Sequence, residues 1–268
     1  MLDFVSEQLS AHVEKVRAMV VATRASPDAE SVHQLRVSIR RLTETVRSLE
    51  EWVKPRRAAK LRARLRPVMK AAGVTRNLDI ACELCLEAPV ASADGVGEAL
   101  KTARVVAAHR LVGRLLALRL DKLRPPCEPN PDAPAPRVLA AALMAELIPR
   151  YWRSGRVAAQ PEASWTELHQ FRLATKQLRY TMELFASIYP RGIPSRLDVL
   201  KKVQTHLGKV NDCDAARGLK AIARDAALDA WLAERQQTER EEFVKTWAEE
   251  QKRSRAGANW VGYFARPK

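Results

Sequence analysis

Two stretches of this chain place a histidine, an arginine and a further base at the same spacing: His33, Arg36 and Arg40 in VHQLRVSIRRL, and His169, Arg172 and Lys176 in LHQFRLATKQL. In a helix each residue turns ~100°, so positions i, i+3 and i+7 share a face, and each stretch sets an imidazole beside two cations. This is donor chemistry. Guanidinium forks grip oxyanions bidentately, ammonium groups add point charge, and a histidine among them is a short donor whose protonation follows its surroundings.

Helices must present these groups. Leu35, Ile39, Leu42, Val46 and Leu49 fall in one sector of the first stretch, and His33, Arg36, Arg40 and Arg47 fall in the opposite one. In the second stretch Phe171, Thr175, Leu178, Met182 and Phe185 form the buried side, facing away from His169, Arg172 and Lys176. Charge opposite an apolar stripe is ordinary for a surface helix. A merely solvated face mixes acids with bases, however, and this one is almost purely basic until Glu44.

Composition points the same way. The chain has 268 residues, with 46 Lys plus Arg against 31 Asp plus Glu, a formal charge of +15. Excess charge of one sign opposes compaction, so a polyanion that neutralises it is the expected partner: nucleic acid, an anionic membrane surface or a phosphate polymer. The 47% hydrophobic content and 10 glycines describe a packed, helix-rich protein rather than a disordered basic tail. Four cysteines are too few for a secreted disulfide framework, and Cys82 with Cys85 has no second pair, so both read as small packing residues. Asp3 and Glu7 stand where a signal peptide would carry bases, and no apolar run approaches the ~18 residues a bilayer span needs. A soluble, cytoplasmic protein is expected.

Along the chain, Val5, Leu9, Val13, Val16 and Val20 predict a first helix, which Ser26, Pro27 and Asp28 break. Lys54 to Arg76 holds nine bases and no acid, with Pro67 predicting a kink or start and Gly73 an end. Pro89 to Gly97 reads as a loop, and Glu98 to Leu123 as a long helix with a basic side that includes Arg110. Six prolines in Pro125 to Pro136 make an extended linker. After it come a helix ending near Pro149 or at Arg153 to Arg156, the second histidine helix, a break at Pro190 to Pro194, and a helix closed by Gly208. Asp79 and Asp214 follow the two glycines as helix caps or salt-bridge partners. His33 and His169 lie 136 positions apart, and Gly73 and Gly208 lie 135 apart. That shared register marks an internal duplication. The expected architecture is all-α, two bundles of about four helices related by a pseudo-two-fold. Residues 1–124 form the first repeat, 125–136 the linker, 137–250 the second repeat, and 251–268 a basic, aromatic tail that docks its rings on the bundle. His12 reads as a surface residue, and His109 and His206 as rim residues.

The paired histidine helices, with GVTRNLD and GKVNDCD at matching distances, resemble the CHAD family, the conserved-histidine α-helical domains. The resemblance runs from about Leu2 to Leu232. It implies two four-helix bundles around a basic central groove or cavity, binding of inorganic polyphosphate without catalysis, and association with polyphosphate granules, here in a stand-alone member. Carried over residue by residue, it implies ligand contacts from His33, Arg36, Arg40, Arg41, Arg76, His169, Arg172, Lys176 and Arg179. The neighbouring bases Arg47, Lys60, Arg64, Arg110, Lys202 and Lys209 complete the candidate polyphosphate-binding set. Gln177 and Asn77 depart from the family pattern, so Gln177 is left out and the first glycine turn is expected to be looser.

Two other readings stay open. Nucleic acid would suit the same charge, with aromatic rings stacked on bases. An enzyme acting on polyphosphate would need a nucleophile, metal cage or nucleotide loop, and the chain has no G-x-x-x-x-G-K-[ST] and no H-E-x-x-H. No catalytic residue, metal or cofactor is therefore expected.

Overall fold

The computed structural model of the protein describes residues 2–128, 130, 132–189, 191–253 and 257–265. Pro129 and Pro131 of the proline-rich stretch, Pro190 of the second break and Arg255 of the tail lie outside the described residues. Among the described residues the regular elements are helices: α1 (Leu2–Ala25), α2 (Ala29–Ser48), α3 (Pro55–Glu87), α4 (Ala93–Leu116), α5 (Pro136–Ala158), α6 (Trp165–Leu184), α7 (Ile193–Arg217), α8 (Lys220–Ala223), α9 (Ala226–Arg253) and α10 (Gly257–Ala265). An all-α protein was expected, and none of these helices is long and apolar enough to cross a membrane.

Two compact units make up the chain. The first comprises Met1–Ala133 and Asp212–Ala233, and the second Pro134–Asn211 and Glu234–Lys268. The later boundaries fall inside α7 and α9.

In the first unit α1 packs on α2, α2 on α3, α3 on α4, and α4 closes back on α1. The apolar stripe of α1 is driven inward: Val5, Leu9, Val13, Val16 and Val20 are all at most 1% exposed, each contributing about 1.5–3 kcal/mol relative to exposure. Asp28 ends the first break and starts α2, its carboxylate accepting from the Ser31 amide at 2.7 Å. Arg24 donates to the Leu115 and Leu118 carbonyls, tying α1 to the end of α4. The first part of the proline-rich stretch lies along the α2–α3 link. The Lys54 amide donates to the Pro126 carbonyl at 3.0 Å and the Glu128 amide to the Trp52 carbonyl at 2.8 Å. Farther down, Leu78, Ala81, Leu84, Cys85 and Leu100 share a core with Cys213, Ala216, Ile222, Leu228 and Leu232. A segment from the second half of the sequence thus completes the interior of the first unit.

The second unit is built around aromatics. Tyr151, Trp152 and Phe171 surround Trp247, with ring centroids 5.1–5.5 Å away. Ser164 and Glu167 close a capping box at the start of α6, which fixes where the second histidine helix begins. The aromatic part of the tail docks as expected: α10 packs on α5, burying Trp260 and Phe264. Arg196 of α7 holds it there, lying 4.1 Å over the Tyr263 ring. Gly192, at φ +83°, supplies the left-handed turn before α7.

Several sequence breakers do not break. α3 runs without interruption through Pro67 and Gly73, α5 through Pro149 and beyond Arg156, and α7 through Gly208. Pro67 is exposed, so water can take the carbonyl that the missing N–H leaves free. An interior glycine costs a helix only about 1 kcal/mol, which buried stripes on the same helix outweigh. The expected loop at 89–97 is shorter, because α4 starts at Ala93, and the long helix ends at Leu116 rather than Leu123.

Gly155 has a packing reason. A methyl there would overlap the Trp247 indole, which its neighbouring rings hold in place. Gly208 has no atom within 4 Å of where a Cβ would sit. Chemical denaturation followed by circular dichroism should therefore show opposite signs. Gly155→Ala should lose about 1–3 kcal/mol, and Gly208→Ala should gain up to about 1 kcal/mol.

Candidate polyanion-binding site

On α2 the apolar sector is buried, with Leu35, Ile39, Leu42 and Val46 at most 2% exposed. The cationic sector is left outward, and α3 returns alongside it. Arg36 reaches across that seam. Its Nη1 lies 2.7 Å from the point where a side chain on Gly73 would begin, so the guanidinium rests against bare α3 backbone. Any larger residue at 73 would displace it.

Arg76, one turn further along α3, faces the same place. The ability of exposed His33 to hold a proton is lowered first by desolvation and then by Arg76, Arg36 and Arg40, with only Glu30 opposing. His33, Arg36, Arg40 and Arg76 are thus gathered into one cluster. Arg76 also contacts Glu83 at 3.1 Å. Arg41 lies on a different flank, beside His12, whose pKa is lowered by burial and by Arg41. His12 is half-buried rather than a plain surface residue, because α1 packs on α2. Nothing in its own sequence neighbourhood signals that meeting.

Other bases in the first unit stand apart. Arg47 is exposed near the end of α2, about 21 Å along the axis from His33, and pairs with Glu44 at 3.8 Å. Lys60 and Arg64 are exposed on the early turns of α3, and Arg64 donates to the Lys122 carbonyl at 2.9 Å. Arg110 borders a groove between α3 and α4. Of the two expected roles, Asp79 takes that of salt-bridge partner rather than cap. It is buried inside α3 and accepts from Arg104 Nε at 2.8 Å, while the same guanidinium donates to the Pro27 carbonyl. The pair ties α4 to α3 and to the turn before the first histidine helix. Asp214 is exposed within α7. Cys82 and Cys85 have their thiol pKa values raised, mainly by burial, which keeps them protonated.

In the second unit, His169 and Arg172 line a narrow crevice with Trp165 and Leu168, against Leu207, Val210 and Asn211 of α7. The second histidine helix therefore meets the helix bearing Gly208, as the first meets the helix bearing Gly73. Lys176 is 8% exposed, further inward than its polar sector predicts. Arg179 turns back on α6, 3.5 Å from Glu183 and 4.9 Å over the Tyr180 ring. Tyr180 itself is buried. On α7, Lys202 is exposed, while Lys209 donates to Glu239 at 2.7 Å. Glu239 also meets His206 Nδ1 at 3.0 Å. Burial opposes its charge, but hydrogen bonds from Lys209 and His206 hold its pKa below the usual value. His206 and Lys209 are thus committed to a shared acid on α9. Among the described residues no three His, Cys, Asp or Glu side chains come together in a way that could hold a metal ion.

Both histidine helices thus offer donors beside a neighbouring helix, and the first has the denser positive charge. The CHAD domain family model matches residues 7–221. No curated protein matches the sequence. Among solved structures, the CHAD domain from the plant Ricinus communis is similar, at 19% identity and a TM-score of 0.68, covering 100% of this chain and 92% of that one. PptA from Streptomyces chartreusis is similar at 19% identity and a TM-score of 0.67, covering 94% of this chain and 99% of that one. At these identities the structural likeness speaks for the fold, and with the family match it leads to one conclusion: the chain belongs to the CHAD domain family.

Proposed function

We propose that this protein binds inorganic polyphosphate without turning it over, and that this binding brings it to polyphosphate granules. His33, Arg36, Arg40 and Arg76 would form one contact cluster, and His169 and Arg172 the centre of a second. The observation that carries the reading is the approach of Arg36 to Gly73 beside Arg76 and Arg40, a crowd of cations that, after desolvation, helps lower the pKa of His33. Such a cluster is best relieved by an anion with many oxygens. A polyphosphate chain has charge at every link and no bases to read, so bidentate arginine contacts and counterion release would supply its affinity. The reading includes the finer architecture expected from the sequence, duplicated bundles that share a basic groove.

Nucleic acid is the rival, and the rings weigh against it. Tyr180, Trp260 and Phe264 are packed inside, at 6%, 5% and 2% exposure, where bases could not stack on them. Duplex DNA or RNA that displaced polyphosphate at equal phosphate concentration would overturn the proposal.

Titration of labelled long-chain polyphosphate tests the site. Arg36→Ala and Arg172→Ala should each weaken binding about tenfold, and the double variant about a hundredfold, with a shallower salt dependence. Unchanged affinity in the double variant would sink the assignment. Gly73→Ala, by moving the Arg36 guanidinium, should weaken binding in the same direction while leaving circular dichroism unaltered.

The reaction should also take up protons. In the ligand-free chain the pKa of His33 is lowered, and a bound phosphate would raise it. The resulting gain in affinity is complete below the pKa of free His33, under 6.5, and is lost as pH rises through the higher pKa of the complex. Calorimetry near neutral pH in buffers of different ionisation heat should detect this uptake, reduced in His33→Asn. Equal heats in all buffers would contradict it.

A further inference from the structure

The α3–α4 pair carries a groove of about 940 Å³, bordered by Arg110, whose lining is largely apolar. Small side chains, Ala71, Ala103 and Ala107, line it with buried Leu78, which leaves a shallow trough between the two helices. Val74 and Val106 border it at 53% and 48% exposure. Exposed β-branched apolar residues facing each other across a trough give water nothing to hydrogen-bond, and such patches mark interaction surfaces. Lys70, Arg110 and Arg114 stand around the apolar strip, and no acid lines it.

The groove is not an extension of the Arg36 cluster. On α3, Val74 is turned ~100° from Gly73, so the two faces diverge around the same helix. A string of phosphates also has no apolar surface to set against alanine and valine. A flat bilayer would touch the rims and leave the floor uncovered. What fits is a rod that is apolar along one stripe and acidic on both flanks. From Pro67 to Leu78 the trough runs about 16 Å, and from Ala103 to Ala117 about 21 Å, which suits three to four turns of helix. A floor of alanines permits the close axial approach that helix packing requires. We infer that the α3–α4 groove docks an acidic amphipathic helix of a partner protein, independently of polyphosphate.

The test uses the full chain and a synthetic peptide of about 14 residues, with leucines at i, i+3, i+4 and i+7 and glutamates on the flanks, beside a scrambled peptide of the same composition. Fluorescence anisotropy should show the amphipathic peptide binding at tens of micromolar and the scrambled one at least about tenfold more weakly. Val74→Glu/Val106→Glu should reduce peptide binding about tenfold or more while leaving polyphosphate binding intact. The milder Val74→Ser/Val106→Ser guards against a folding effect and should weaken the peptide in the same direction. Lys70→Glu/Arg114→Glu should weaken it and flatten its salt dependence. Equal binding of the two peptides, or displacement of the peptide by polyphosphate, would overturn the inference. So would binding to anionic phospholipid vesicles through Val74 and Val106, or self-association of the chain that the valine substitutions abolish.

Discussion

A guanidinium can lie against a helix only where that helix has no side chain. At Gly73 this condition is met, and Arg36 crosses from α2 to rest on α3 backbone, a turn away from Arg76. Like charges brought together in this way repel by about 1 kcal/mol at 4 Å in water and by more near a protein surface. The buried stripes of α1, α2 and α3 hold the helices at that spacing against the repulsion. His33 registers the result by giving up its proton more readily. Hydrophobic burial in the first unit therefore maintains a crowding of cations that an anion would relieve.

The second copy keeps the pattern and uses its charges differently. Its glycine, Gly208, has open space rather than an arginine above it. His169 and Arg172 border a tight crevice, Lys176 is drawn inward, and Arg179 covers its own neighbour Tyr180. On the facing helix Glu239 neutralises Lys209 and engages His206. In both units a histidine helix thus meets a helix bearing a glycine, but the surroundings differ, with cation crowding in the first and pairing in the second. The aromatic interior of the second unit, with Gly155 cut to the shape of Trp247, has no counterpart among the first unit's aliphatic stripes.

The periodic stripes were legible because they answer to one local rule, the angle between successive residues. That rule placed α1, α2 and α6, the burial of Leu35 and Phe171, and the outward position of His33. Breaker residues misled instead: no helix ends at Gly73, Pro149 or Gly208 and none starts at Pro67, because local propensity is outweighed by packing along the same helix. The angular rule says nothing about axial distance or about neighbours far away in sequence. Arg47, Lys60, Arg64 and Arg110 share the sign of the cluster and not its location, and His12 meets Arg41 only because α1 and α2 pack together. Asp79, following a glycine, read as a cap or a salt-bridge partner, and the sequence did not say with which base. Its actual partner, Arg104, comes from another helix.

The segment Asp212–Ala233 lies within the first unit's core, where Cys213, Ile222 and Leu232 pack among Leu78, Leu84 and Leu100. A ribosome emits the early helices long before it reaches that segment. Until residue 233 has cleared the exit tunnel, the core residues that α3 and α4 share with that segment lack this cover. This delay links the maturation of the two units in time, and it makes the nascent first half a natural client for chaperones.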